Sequence, residues 1–201
     1  MSTVTFNFFA KYLNTSPSAR GGVVRRMQQQ ASEAYHPSKD FWQRMNVALA
    51  SDRRTTRDGA AVTACAQNNT DPRRAAHFDA VAAAWGKLHH RWDDATAVLE
   101  PMRALPIGPL TIGVKPTFVE RFSDGRIEVV LVRLAVGELG RDVKHAILRM
   151  LELAYPDTTT VFVDVRRGVV LTNSGKRLDH LDPWIQSEAA GLAHLLQDDA
   201  A

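Results

Sequence analysis

Residues 164–168, with the order Asp-Val-Arg-Arg-Gly, are the segment best suited to chemistry. On a strand whose side chains alternate between faces, Asp164 and Arg166 would share one face and could serve a site together. The same pattern is also typical of a strand that ends in a cross-strand ion pair and a glycine turn. The sequence alone leaves both interpretations open.

The sequence contains no recognisable motif for metal binding or for nucleophilic catalysis. The seven histidines lack an i, i+4 pair with a glutamate, and neither a cysteine cluster nor a phosphate-binding glycine loop accompanies them. His89 and His90 are adjacent on a predicted helix, so their side chains should point in different directions. Cys65 lies among small residues and is predicted to fill space rather than to act as a nucleophile. We therefore predict neither a metal site nor a cofactor.

The elements that would position these residues are clearest in the second half of the chain. A nearly continuous apolar run at residues 127–134 predicts a strand that is buried on both faces. Residues 123–125, with the order Ser-Asp-Gly, are typical of a tight turn. Residues 109–122 and 126–135 are therefore predicted to pair as a hairpin.

A helix and a second pair of strands follow. Apolar residues at helical spacing predict a helix over residues 141–154. Alternating valines predict a strand over residues 159–166, with a return strand over 168–172 after a glycine turn. Strand, helix and strand in this order predict a parallel crossover connection.

The first hundred residues have a different, all-helical pattern, which is clearest over residues 72–91. Residues 4–13 are predicted to form a short helix or an extended arm. Prolines and glycines at residues 101–109 mark a boundary. We predict an α+β protein with a helical N-terminal domain (1–100), followed by an α/β domain (101–201) in which helices flank a small mixed sheet.

Positive charge is concentrated near the N-terminus. Residues 1–60 contain nine Lys and Arg against four Asp and Glu, whereas residues 101–201 contain twelve against thirteen. Arginines in this basic part could make sequence-independent contacts to phosphates. The candidates for nucleic-acid binding are Arg25, Arg26, Arg53, Arg54 and Arg57. The alternative is that the same charges form a solvated face.

The composition of the chain excludes a membrane span and indicates a reducing compartment. No apolar run approaches the roughly 18 residues that a spanning helix needs. A single cysteine cannot form an intramolecular disulfide and fits a reducing environment. We therefore predict a cytoplasmic protein without membrane association.

The order hairpin, helix and strand, with a helix before and after, resembles the core of the PD-(D/E)XK nuclease-like superfamily. Residues 125–135, 142–155 and 160–171 carry this resemblance. The same half is similar to an uncharacterised bacterial family that joins a helical half to an α/β half. In that family, a strand ending in Asp-x-Arg-Arg precedes a closing helix that contains Glu-Ala-Ala, here at residues 188–190.

The superfamily resemblance implies a divalent metal ion held by carboxylates, with a lysine that orients the attacking water. An active member supplies these groups from an Asp and an Asp/Glu-x-Lys triplet on the hairpin. Here the triplet position contains Leu131, Val132 and Arg133, so the acid is missing and arginine replaces lysine. Arginine stays protonated and cannot transfer a proton. The acids left for Mg²⁺ are Asp124, Glu128 and Asp164.

We therefore predict a non-catalytic binding or assembly module whose partner is another protein or a nucleic acid. The alternative is a divergent Mg²⁺-dependent nuclease that uses Asp124, Glu128 and Asp164. A third hypothesis is a structural subunit that docks the phenylalanines of its N-terminal arm on a neighbour.

Overall fold

The computed structural model describes residues 2–32 and 41–198, within which the chain forms seven helices and eight strands. The helices are α1 (Phe6–Leu13), α2 (Arg20–Ser32), α3 (Gln43–Arg54), α4 (Ala60–Gln67), α5 (Pro72–Leu88), α6 (Arg141–Ala154) and α7 (Asp182–Asp198). The strands are β1 (Ser2–Thr5), β2 (Ala95–Val98), β3 (Arg103–Ile107), β4 (Leu110–Val114), β5 (Phe118–Phe122), β6 (Ile127–Arg133), β7 (Thr159–Asp164) and β8 (Val169–Thr172). This content confirms the predicted α+β class. Across the two described ranges, no helix is both long and apolar enough to cross a membrane.

A mixed central sheet has the strand order β2-β5-β6-β7-β8. β6 and β7 pair in parallel, and the other neighbours pair antiparallel. The β5–β6 hairpin turns at Gly125, whose φ of 86° lies in the left-handed region that favours glycine. α6 connects β6 to β7, so the predicted turn, helix and parallel crossover are confirmed.

A second sheet, with the order β1-β4-β3, was not anticipated, since a single small sheet was predicted. Residues 109–122 form two strands rather than one, because the chain leaves β4 after Val114 and enters β5 at Phe118. Pro116 lies in this break, and proline cannot donate a hydrogen bond to a sheet ladder. The predicted first arm of the hairpin is therefore shared between two sheets.

The central sheet has an apolar cluster on each face. Val129 and Leu131 of β6 belong to the cluster that contains residues of α1, α2, α6 and α7. Val130 and Val132 belong to the cluster that contains residues of α3, α4 and α5. Because successive strand side chains point to opposite faces, the continuous apolar run of β6 serves both clusters. The prediction of a strand buried on both faces is confirmed.

Packing crosses the boundary predicted between residues 100 and 101. β1 pairs with β4, and β2 forms an edge of the central sheet. The segment predicted as a helix or an arm is α1, which begins after Thr5; the hydroxyl of Thr5 accepts a hydrogen bond from the N–H of Phe8 at 3.3 Å. Phe9 of α1 lies in the same apolar cluster as α6 and α7. The first and second halves of the chain therefore share a core.

Replacing Phe9 with alanine should lower the free energy of unfolding by about 3 kcal/mol or more, because the buried ring would leave a cavity. Urea denaturation followed by tryptophan fluorescence measures this change. Asn7→Ala, at an exposed position of the same helix, is the matched control and should change stability by less than about 0.5 kcal/mol. Equally small effects of the two substitutions would contradict the placement of α1 in the core.

Candidate functional site

Two buried glutamates face each other across the β5–β6 hairpin. Glu120 and Glu128 are direct register partners, and both are 0% exposed. Phe118 lies two residues before Glu120, and Val130 lies two residues after Glu128. Both belong to the cluster with α3, α4 and α5, so alternation directs both carboxylates to that face. Like charges in this arrangement repel, and a buried charge is costly unless it is paired. Surrounding residues must therefore compensate both charges.

Arginines at and just beyond the end of α3 compensate Glu120. Nε of Arg53 donates to Oε1 of Glu120 at 2.8 Å, and Nη2 of Arg57 donates to Oε2 at 3.0 Å. Arg53 is itself fully buried and also donates to the main-chain carbonyl of Trp92 at 2.9 Å. Arg57 donates to the carbonyls of Trp92 and Ala95. These bonds join α3 to β2 and to the 3₁₀ turn His89–Trp92, which follows α5.

Glu128 is compensated from that turn and from Arg126, which directly precedes β6. The indole N–H of Trp92 and Nη2 of Arg91 each donate to a carboxylate oxygen at 2.8 Å. Arg126 forms a further ion pair with the same carboxylate. The side chains of Arg91 and Arg126 are 37% and 43% exposed, so this half of the network reaches the surface. Both glutamates therefore anchor neighbouring elements.

Asp164 ends β7 and pairs with Arg133, its register partner on β6, at 3.4 Å and with Arg167 at 3.0 Å. The strand does not continue through Arg166, because Val165–Arg167 forms a 3₁₀ turn. Arg166 instead hydrogen-bonds with Nδ1 of His77 on α5 at 3.0 Å. Of the two interpretations that the sequence left open, the structure therefore shows the cross-strand ion pair beside a glycine turn and not a shared face of Asp164 and Arg166.

The three acids of the nuclease alternative do not converge. Asp124 is exposed in the hairpin turn and accepts a hydrogen bond from the main-chain N–H of Arg126 at 2.9 Å. Glu128 faces α3, α4 and α5, whereas alternation along β7 directs Asp164 to the opposite face of the sheet. Glu128 and Asp164 are also bound by arginines, which a Mg²⁺ ion would have to displace.

The five arginines predicted to contact phosphates do not form one surface. Arg25 and Arg26 are exposed on α2, and Arg54 is exposed on α3. These two helices contribute to the apolar clusters on opposite faces of the central sheet. Arg53 is buried and Arg57 is partly buried, and both bind the glutamate of β5. For Arg53 and Arg57 the prediction is corrected, because their guanidinium groups compensate an internal charge.

A groove of about 480 Å³ lies between α5 and the turn after β7. Most of its lining is small or apolar, from Ala80, Ala83, Ala84, Leu88, Val165 and Gly168. Lys87 and Arg166 complete the lining. Among the residues that the structure describes, no carboxylate lies at ion-pair distance from either cation. The groove therefore combines an apolar floor with two cations that have no carboxylate partner within residues 2–32 and 41–198.

A cluster of two histidines and an aspartate lies directly after α5 and was not predicted from the sequence. The chain tightens there into the 3₁₀ turn His89–Trp92, and the ring centroids of His89 and His90 are 3.9 Å apart. The prediction that these side chains point in different directions is therefore wrong. A hydrogen bond from His90 lowers the pKa of Asp93, and burial lowers the pKa of His89. The spacing His-His-x-x-Asp is the signal that could have indicated this cluster.

The chain matches no protein-family model, and no curated protein matches it significantly. Its function must therefore be inferred from the contacts and charges of its own residues. The arginine-bound acids join neighbouring elements of the sheet, and the groove beside α5 presents an apolar surface that two cations border.

Replacing Glu120 with alanine should lower the free energy of unfolding by about 3–5 kcal/mol, because it leaves Arg53 buried without its main counter-charge. Urea denaturation followed by circular dichroism measures the loss. The double variant Glu120→Leu/Arg53→Met removes both charges and should be more stable than Glu120→Ala. Glu138→Ala, at an exposed ion pair, is the control and should change stability by less than about 1 kcal/mol. A loss in Glu120→Ala no larger than the control's would contradict the anchoring role.

Proposed function

We propose that this protein is a non-catalytic binding or assembly module that docks a segment of a protein partner in the groove beside α5. One observation carries the proposal: Lys87 and Arg166 border an apolar floor and, among the described residues, have no carboxylate partner. Unpaired charge beside an apolar surface favours a partner with complementary charge. The expected occupant is therefore a segment that combines apolar and acidic side chains.

The floor of the groove is suited to close approach by another chain. Ala83 and Ala84 lie three and four residues after Ala80, so both are neighbours of Ala80 on the surface of α5. Their methyl groups leave room for larger side chains of a partner. Leu88 and Val165 extend the apolar area. Burial of such surface favours association without fixing orientation, which the two cations would supply.

Arg166 is held in an orientation that suits recognition of a carboxylate. It hydrogen-bonds with His77, and the ring of His77 packs edge-on against Phe41 at a centroid distance of 5.4 Å. A side chain that is already ordered loses less entropy when it binds. The guanidinium fork can also bind both oxygens of one carboxylate. Arg166 is therefore the residue expected to determine specificity.

A nucleic acid suits this groove less well than a protein segment does. Binding to a phosphate backbone depends on many exposed cations. Arg53 and Arg57 are engaged inside the protein, and Arg25 and Arg26 lie on α2, which packs with the other apolar cluster. A nucleic-acid complex is kept as the alternative partner, with contacts from Arg25, Arg26 and Arg54.

The non-catalytic part of the proposal is supported by the pairing of Glu120, Glu128 and Asp164 with arginines. In the nuclease-like superfamily that the second half resembles, carboxylates on the sheet hold a metal ion. We propose that this chain has retained a similar scaffold and uses its buried acids to stabilise the sheet.

Panning a phage library of random peptides on the immobilised chain should enrich sequences that combine apolar and acidic residues. Fluorescence polarisation with an enriched peptide gives the affinity, which Arg166→Glu should weaken by at least about tenfold because it reverses the recognising charge. Arg177→Glu is the matched control, since it makes the same change in net charge at an exposed arginine outside the groove. This control should leave the affinity within about twofold.

Equal weakening in both variants would indicate a general charge effect and contradict docking in the groove, as would enrichment of basic peptides or of none. Polarisation with labelled duplex DNA tests the alternative partner. DNA binding that falls steeply with salt and weakens in Arg25→Glu/Arg26→Glu would favour the nucleic-acid hypothesis.

Incubation of the protein with supercoiled plasmid and Mg²⁺ or Mn²⁺ should produce no cleavage above that of Glu128→Ala, because the acids are paired with arginines and lie on different faces. Agarose electrophoresis measures the conversion to nicked and linear forms. Circular dichroism establishes that the variants are folded. Cleavage by the wild-type chain that is lost in folded Glu128→Ala and Asp164→Ala would favour the nuclease alternative.

A further inference from the structure

We propose that His89, His90 and Asp93 form a binding site for a first-row divalent transition metal ion, and that Zn²⁺ is the ion that fits their chemistry best. Each histidine offers a ring nitrogen and the aspartate offers a carboxylate oxygen. These three ligand atoms all lie within 4.8 Å of one another. The cluster and the groove beside α5 consist of different residues, so each can be tested without the other.

The separations between ligand atoms are close to those that a bound ion requires. Nδ1 of His90 is 2.9 Å from Oδ2 of Asp93, and Nδ1 of His89 is 4.0 Å from Oδ1. With metal–ligand bonds of about 2.0–2.2 Å, neighbouring ligands of a tetrahedral site are about 3.3–3.6 Å apart. Small side-chain rotations would therefore bring all three ligands onto one ion.

The ring of His89 provides an independent indication of a ligand. The residue is 5% exposed, and its Nδ1 has no hydrogen-bond partner among the described residues. Gly59 lies against the other edge of the ring, since a Cβ at Gly59 would be 3.4 Å from Cδ2 and 3.6 Å from Nε2. Nδ1 is therefore directed away from Gly59 and toward Asp93. Buried polar atoms are ordinarily paired, and a metal ion would satisfy this one.

The buried ion-pair network holds the turn that carries these residues. Arg53 donates to the carbonyls of His89 at 3.5 Å and of Trp92 at 2.9 Å. The indole of Trp92 is in turn fixed by its hydrogen bond to Glu128. A site on a rigid support needs less ordering when its ligand binds. The exposed side chain of His90 gives an ion access from solvent.

The ligand set determines the class of ion. Imidazole nitrogens suit Zn²⁺, Cu²⁺ and Ni²⁺, whereas Mg²⁺ and Ca²⁺ prefer oxygen ligands. Two imidazoles with one carboxylate resemble the three-ligand zinc sites, in which the fourth position is open. Water or a side chain of a partner would complete the coordination. We therefore expect Zn²⁺ to bind and Mg²⁺ not to compete.

Isothermal titration calorimetry of the chelator-treated chain with ZnCl₂ should show one site with a micromolar or lower Kd that excess MgCl₂ does not change. His90→Ala and Asp93→Asn, at exposed positions, should each weaken the affinity by at least about tenfold. CoCl₂ should give visible absorption bands that are lost in the same variants. The controls are His180→Ala, at another exposed histidine, and Cys65→Ser, at the single thiol; both should bind as the wild type does.

Absence of Zn²⁺ binding at micromolar concentrations would overturn the proposal. Binding that persists unchanged in His90→Ala and Asp93→Asn would do the same, because the ion would then lie elsewhere. Loss of binding in His180→Ala or Cys65→Ser would assign the ion to another histidine or to the thiol. Circular dichroism of each variant separates a lost ligand from a lost fold.

Discussion

Two carboxylates directly opposite each other on adjacent buried strands set the main electrostatic constraint on this fold. Glu120 and Glu128 lose their hydration and face a like charge, so neighbouring elements must bring cations to them. Arg53 and Arg57 approach Glu120 from the end of α3, and Arg91 approaches Glu128 from the turn after α5. The positions of α3, β2 and this turn are therefore coupled to the charges inside the sheet.

The same compensation determines which cations are left for the surface. Arg53 and Arg57 neutralise an internal acid, whereas Lys87 and Arg166 have no such acid among the described residues and border the groove instead. The groove and the histidine cluster both adjoin the C-terminal end of α5. Arg53 holds the turn that follows this helix by donating to the main-chain carbonyls of His89 and Trp92. Structural ion pairs and candidate binding groups are thus neighbours with different roles.

The sequence predicted correctly those elements that carry a clear pattern within their own residues. The apolar run of β6, the glycine turn before it and the amphipathic α6 are examples. β1 and β2 are four residues long and pair with distant strands, so no pattern within them indicates a sheet. Arg53 and Arg54 are adjacent, yet only one faces Glu120, which depends on how α3 packs. The strand that was predicted to continue through Arg166 and the predicted directions of His89 and His90 fail for the same reason, because a 3₁₀ turn changes the angle between successive side chains.

The parallel pairing of β1 with β4 joins residues that are more than a hundred positions apart. During translation, the first strand and helix emerge from the ribosome long before the strand against which they dock. Phe6, Phe8 and Phe9 then remain without their burial site until β4 and the later helices of their apolar cluster have been synthesised. Contacts between such distant residues slow folding, and uncovered apolar segments attract chaperones or aggregate. The nascent polypeptide must therefore keep these phenylalanines protected until the strand that pairs with β1 has been synthesised.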